Sequence, residues 1–158
     1  MALLAGCASA APPATVAPRA LPSVELRTLD GQPARLGDVT AGRPALVSLW
    51  ATWCEACVRE LEALGRLDQA THGASARVIA IAVGEPRDKV AAFVHAHQLG
   101  YTQLVDERFQ LADALGQTRV PATLVLDRDG SIVFRGGAFD EAALAALRRT
   151  IATTQARR

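Results

Sequence analysis

Lysine is almost missing from this chain. Lys89 is the only one among 17 basic residues; the rest are arginine, and 16 acidic residues bring the formal net charge to +1. That balance offers no basic field for nucleic acid and no acidic field for a basic partner. The shortage of lysine, with the abundance of alanine, is the mark of a GC-rich bacterial genome rather than of a mechanism. Long apolar runs are missing too: none reaches 18 residues, the length a membrane-spanning helix needs. Cysteine is scarce, with Cys7, Cys54 and Cys57 the only three. A disulfide-stapled secreted scaffold uses more pairs in a smaller chain, and a zinc site built on two C-x-x-C motifs lacks its second half. What remains is a 158-residue chain, half of it hydrophobic, long enough for one domain with one core.

The odd cysteine lies in "LLAGCASA". Leu4-Ala5-Gly6-Cys7 is similar to a bacterial lipobox, in which the cysteine is lipidated and the residues before it are removed. A signal peptide has a basic start and about 7–15 apolar residues; only six residues precede Cys7 and none is basic. The native gene product is therefore expected to begin upstream, or the start has been trimmed. Residues 1–7 are read as the remnant of that signal. The next stretch, "ASAAPPATVAPRALP", is rich in alanine and proline and has no periodic apolar face. Residues 8–22 thus read as an extended tether, reaching at most about 50 Å at ~3.3 Å per residue. A lipid-anchored domain needs such a tether and a cytosolic one does not.

Residues 23–158 read as one α/β domain. "VELRTL" alternates as a strand before the turn "DGQP", and "ARLGDV" suggests a second short strand. "PALVSLW" and "ARVIAIAV" are continuous apolar runs of strand length, as in a sheet covered on both faces. Between them Cys57, Val58, Leu61, Leu64 and Leu67 recur at helical spacing, ending near His72-Gly73. Val90, Phe93, Val94 and His97 mark a helix after Pro86, "TQLVD" a strand, and "RFQLADALG" a helix stopped at Gly116. "PATLVLDRDGSIVFRG" is a hairpin about Asp129-Gly130, and Leu144, Leu147 and Ile151 stripe the last helix. Helices alternating with buried strands, then a closing hairpin, describe a central mixed sheet flanked by helices.

This order places Cys54 after a buried strand, at the N-terminus of a helix. Free N–H groups and the positive end of the helix dipole stabilise a thiolate there, and the thiolate is the nucleophile. Cys57 follows one turn on and deeper, so Cys54 is expected to exchange with a substrate and Cys57 to resolve the mixed disulfide. Two other readings compete. Zinc would need further ligands, but His95 and His97 stand two apart on a helix and point away from each other. Two buried structural thiols would be an odd choice beside Trp53 at a strand–helix junction. A second feature agrees with redox chemistry: Pro121 in "TRVPATLVLD" opens a later strand, where a cis-proline would sit beside the cysteines.

Residues from about 24 to 155 resemble the thioredoxin fold of the TlpA/ResA-like thiol–disulfide oxidoreductases, which are bacterial and extracytoplasmic. "WATWCEACVREL" is similar to that family's W-x-x-W-C-x-x-C signature, and "RVIAIAVGEP", "LVDERFQLADALG", "VPATLVLDRDG" and "FRGG" follow its later landmarks in order. Cys54 and Pro121 stand 67 positions apart, which leaves room for the strand–helix unit this family inserts, behind its N-terminal β extension. The resemblance implies reduction of protein disulfides in the cell envelope, with cytochrome c maturation or copper-site clients, a membrane thiol carrier as electron donor, and no cofactor beyond the Cys54–Cys57 disulfide. It implies Cys54 as nucleophile, Cys57 as resolving cysteine and Pro121 as the cis-proline. Trp53, Thr118, Arg119 and Val120 would then contact the substrate. Glu60 and Glu85 would be acids close to the site. A monomer, lipid-anchored through Cys7, is expected, with no nucleic-acid partner and no metal.

Ser48 departs from the pattern, since soluble thioredoxins bury an aspartate two residues before the first tryptophan. If Cys57 needs a base, Glu60 or Glu85 is then the remaining candidate. Ala56 stands where proline is common and is expected to offer the Cys54 sulfur an extra N–H. Two rival functions are a non-enzymatic copper-handling protein on the same fold and a thiol peroxidase. The latter chemistry wants threonine three residues before its cysteine, where this chain has Ala51.

Overall fold

The computed structural model describes residues 19–71 and 75–157. Cys7, most of the tether and the His72-Gly73 helix end lie outside these. In chain order the elements are β1 (Arg19–Ala20), β2 (Leu26–Thr28), β3 (Pro33–Ala34), α1 (Leu36–Thr40), β4 (Ala45–Trp50), α2 (Glu55–Thr71) and β5 (Arg77–Val83). Then come α3 (Arg87–Ala96), β6 (Thr102–Asp106), α4 (Gln110–Leu115), β7 (Ala122–Leu126), β8 (Ser131–Gly136) and α5 (Glu141–Ala156). The described strands form one eight-stranded sheet in the order β1-β8-β7-β4-β5-β6-β2-β3.

β4 is the hub. It runs parallel to β5 and antiparallel to β7, and all six of its residues are buried. Its side chains alternate between two cores. Leu46 and Trp50 join Cys57, Leu61 and Leu64 of α2, Val90 and Val94 of α3 and Leu147 of α5 on one face. Ala45, Val47 and Leu49 join Leu111 and Leu115 of α4, with Leu26 and Leu36, on the other. Coverage on both faces explains why β4 and β5 are apolar but for Ser48 and Arg77, rather than alternating. Along α2, the buried Cys57, Leu61 and Leu64 keep the i, i+4, i+7 spacing of one helix face. No described helix is long and apolar enough to cross a membrane.

Two local expectations are corrected. "ARLGDV" is a strand only at its first residue, and Leu36–Thr40 is helical. Leu36 and Val39 are three apart and both pack on the second core, a helical and not a strand spacing. The Thr40 hydroxyl bonds the Gly37 carbonyl at 2.8 Å, and Ala41 closes the turn in the left-handed region at φ 51°. The sheet also starts earlier than Ser23. Arg19 and Ala20, read as tether, pair with Ile132 and Ser131 of β8. Pairing at a sheet edge uses backbone groups alone, so alanine-rich composition conceals it.

The parallel strands β4, β5 and β6 all end at one pole of the sheet, with Trp50 level with Ala82, and Val83 level with Asp106. β7 begins there, with Ala122 opposite Leu49, and β8 ends there, with Gly136 opposite Thr123. The loops that leave this pole carry residues 51–54, 84–86, 107–109, 118–121 and 137–140. Function in open α/β sheets gathers outside the carboxyl ends of such strands.

Candidate active site

Cys54 and Cys57 are joined in a disulfide with Cα atoms 5.2 Å apart. The Cys54 carbonyl accepts the first helical bond of α2 from the Val58 N–H at 3.0 Å, so Cys54 is the residue on which the helix opens. Its sulfur accepts the Cys57 N–H at 3.2 Å. The first helical turn thus points a backbone donor at the Cys54 sulfur, where it would favour a thiolate. This donor belongs to Cys57 and not, as expected, to Ala56. Cys54 is 7% exposed and Cys57 1%. Of the two, Cys54 is the more open.

The Val120–Pro121 peptide is cis. Pro121 immediately precedes β7, beside the end of β4 that leads into the cysteine loop. Val120 is half-buried and packs against both cores, while Thr118 and Arg119 are exposed beside it. Trp53 is 68% exposed. Redox pair, cis-proline and exposed tryptophan therefore share one rim.

Under α2 the sheet offers hydroxyls and no carboxylate. Ser48 is buried and lies opposite Thr123, whose own buried hydroxyl has no hydrogen-bond partner among the described residues. The two glutamates near the pair are held differently. Glu60 lies three residues after Cys57 on the same helical face and accepts the Phe139 N–H at 3.1 Å. Burial pushes its carboxyl above the ordinary value, against the opposing pull of that N–H and of Arg59. A carboxyl that holds its proton more tightly than usual, one turn from Cys57, can pass a proton.

Glu85 is 4% exposed and fully engaged. The Thr52 N–H donates to its Oε2 at 2.6 Å, and the Thr52 hydroxyl and Lys89 Nζ each donate to its Oε1 at 2.6 Å. Burial alone would raise its carboxyl, but the bonds from Lys89 and Thr52 outweigh it and hold the group below the ordinary range. A carboxylate kept charged by three donors is a poor base. Its geometry is that of a clamp on Thr52, two residues before Cys54.

Residues 18–135 match the family model described as the AhpC/TSA family. The chain belongs to this family. It is 29% identical over 111 residues to the thiol-disulfide oxidoreductase ResA of Geobacillus thermodenitrificans, a match covering 70% of this chain and 63% of ResA. The chain thus spans less than two thirds of that relative's length. Among solved structures it is similar to a thiol:disulfide interchange protein of the thioredoxin family from Chlorobium tepidum, at a TM-score of 0.71 and 21% identity, covering 87% of this chain and 99% of that one. It is also similar to the exposed lipoprotein thioredoxin of Streptococcus pneumoniae, at a TM-score of 0.69 and 23% identity, covering 81% of this chain and 99% of that one. These likenesses are of fold: the chain is a thioredoxin fold.

In this AhpC/TSA member the tertiary structure adds four residues to those read from sequence: Thr52, Lys89, Phe139 and Phe109. Lys89 was legible, since it stands four after Glu85 on a helix start where opposite charges meet. Thr52 and Phe139 reach the glutamates across 33 and 79 positions, which no local pattern encodes. Phe109 is the second large hydrophobic side chain left open, 46% exposed.

Proposed function

We propose that this chain is an extracytoplasmic thiol–disulfide oxidoreductase that reduces disulfides of client proteins. The observation that carries the reading is the Cys54–Cys57 pair on the first turn of α2, its outer sulfur facing a helix N–H and its inner sulfur buried. The likeness to ResA supports it. In the reduced state the Cys54 thiolate attacks one sulfur of a client disulfide, forming a mixed disulfide and releasing one client thiolate. Cys57 loses its proton, toward Glu60 through water, and attacks the Cys54 sulfur. The second client thiolate leaves, and two electrons have passed from the Cys54/Cys57 dithiol to the client. A thiol carrier of the membrane restores the dithiol by the same exchange in reverse. The cycle draws on no other redox group, and one chain carries every group it uses, which fits a monomer.

Pro121 and Val120 present the edge along which an extended client lies, with Thr118 and Arg119 at its margin and Trp53 across from it. Glu85 positions the loop that carries Cys54. A peroxidase reading loses ground at Ala51, which is wholly buried and has no hydroxyl to offer a peroxide. Lipidation at Cys7 tethers the domain to an envelope membrane, in keeping with the pneumococcal relative, a lipoprotein by its name. Apocytochrome c and copper-site proteins are the client classes this placement suits.

Trapping tests the reading. Cys57→Ser leaves the second exchange undone, so a client stays bound to Cys54 through a bond that reductant releases; Cys54→Ser traps little. Identifying the trapped proteins from envelope extracts names the client. Equal trapping by both variants sinks the assigned order of attack. No trapping by either, with tight copper binding by the reduced pair, replaces this reading with a copper-handling one.

A further inference from the structure

Only two large hydrophobic side chains are open to solvent among the described residues, Trp53 at 68% and Phe109 at 46%. They leave the ends of different strands, β4 and β6, yet belong to one connected frame. The Phe109 ring lies on Gly84 so closely that a Cβ built there would come 1.8 Å from the ring's Cζ. Gly84 leads into Glu85, whose carboxylate holds Thr52, and Thr52 leads into Trp53 and Cys54. The tip of the ring thus abuts the backbone that leads to the nucleophile's loop, while nearly half of the residue stays open to water.

Phe109 is held in this pose at a conformational cost. Its φ is 57°, in the left-handed region that side chains other than Gly and Asn avoid. Asp106 imposes the pose. Its buried carboxylate accepts the N–H groups of Gln110, Leu111 and Ala112 at 2.8, 2.9 and 3.1 Å, tying the start of α4 to the end of β6. The chain must turn sharply at Phe109 to allow it. Glycine or asparagine would make that turn without strain, and the cores do not contain this ring. An aromatic residue kept in a strained turn, half exposed on the rim of a reactive site, points to a ligand.

Building on the disulfide-exchange reading, we propose that Phe109 and Trp53 form an apolar docking surface for the client polypeptide, selecting an extended segment that carries apolar side chains next to its cysteine. The mixed disulfide fixes the client's sulfur at Cys54. Because Cys54 is only 7% exposed, the client chain must lie flat on the rim to reach it. On one side the Val120–Pro121 edge meets its backbone; on the other, the two aromatics meet its side chains. Small hydrophilic disulfides engage the sulfur without touching Phe109.

The test uses the reduced full chain and three oxidants: glutathione disulfide and two peptides of equal length, each closed by one disulfide, flanked in one by leucine and in the other by serine. Rates with the peptides are read relative to glutathione disulfide. The wild type is expected to prefer the leucine peptide about tenfold, and Phe109→Asn, which tolerates the left-handed turn, to reduce that preference to about twofold or less. Phe109→Tyr keeps the preference, which separates loss of the ring's contact from loss of fold. A preference that survives Phe109→Asn, or that vanishes equally in Phe109→Tyr, overturns the assignment. Exchange with all three oxidants and no preference in the wild type defeats the docking surface alone; exchange with none defeats the oxidoreductase reading beneath it.

Discussion

Glu85→Gln should weaken the domain at neutral pH and leave it unaffected in acid. The carboxylate receives both donors of Thr52 and the Lys89 ammonium, each at 2.6 Å. An amide of the same shape keeps one acceptor oxygen for those three donors and turns an NH2 toward them. The Thr52 hydroxyl can rotate to accept from that NH2, and the half-exposed Lys89 can turn to water. The loss is then the charge on the Thr52 N–H bond and the pairing with Lys89, together about 1–2 kcal/mol. The pH dependence follows from the depressed carboxyl of Glu85. Its stabilisation is complete above the ordinary value of 4.5 and is lost as pH falls through the lower folded value. Urea unfolding of the oxidised protein and the variant, at neutral pH and again in acid below the carboxylate range, measures both arms. The gap at neutral pH should close in acid. An equal gap at both pH values, or none at neutral pH, would refute the clamp. Lys89→Met keeps both Thr52 bonds and should cost under about 1 kcal/mol, because the ammonium is largely solvated.

Glu60 carries the opposite sign: its raised carboxyl means that stability is fully present below the ordinary value and declines as pH rises through the folded one. Glu60→Gln should therefore match or exceed the wild type in thermal midpoint at neutral pH while shifting the pH profile of Cys57 alkylation; an unmoved profile removes Glu60 from proton transfer. Gly84→Ala places a methyl 1.8 Å from the Phe109 ring at a φ of +68° and should cost at least about 1–2 kcal/mol in denaturant unfolding, with an unchanged midpoint counting against the packed ring. Cys7→Ser, expressed in a bacterial host and compared with the unsubstituted protein, should move the protein from the membrane to the soluble envelope fraction; a variant still wholly membrane-bound ends the lipid-anchor proposal.

The redox pair was legible at once because its signal is local. A C-x-x-C between an apolar strand and an amphipathic helix needs only the periodicities of strand and helix to place Cys54 at the helix opening and Cys57 on its inner face. The same held for β4, β5, the β7–β8 hairpin and α5. Short elements were less legible. Leu36 and Val39 fit a strand or a helix over so brief a span until the second core takes both, and β1 exists only because β8 offers it an edge. The glutamates show the limit most clearly. The family resemblance implied that Glu60 and Glu85 lie near the cysteines and left both as candidate bases. What divides their surroundings is contact across the fold: Phe139 and burial for Glu60, Thr52 for Glu85. Phe109 was read only as part of a helix, because its strained turn is dictated by Asp106 and its ring by Gly84. Local pattern determined where the sulfurs sit, since strand and helix periods are properties of neighbouring residues. Tertiary structure decided how each carboxyl is held and that Phe109 stays open on the rim, because burial and most of these hydrogen-bond partners are set by residues distant in the chain.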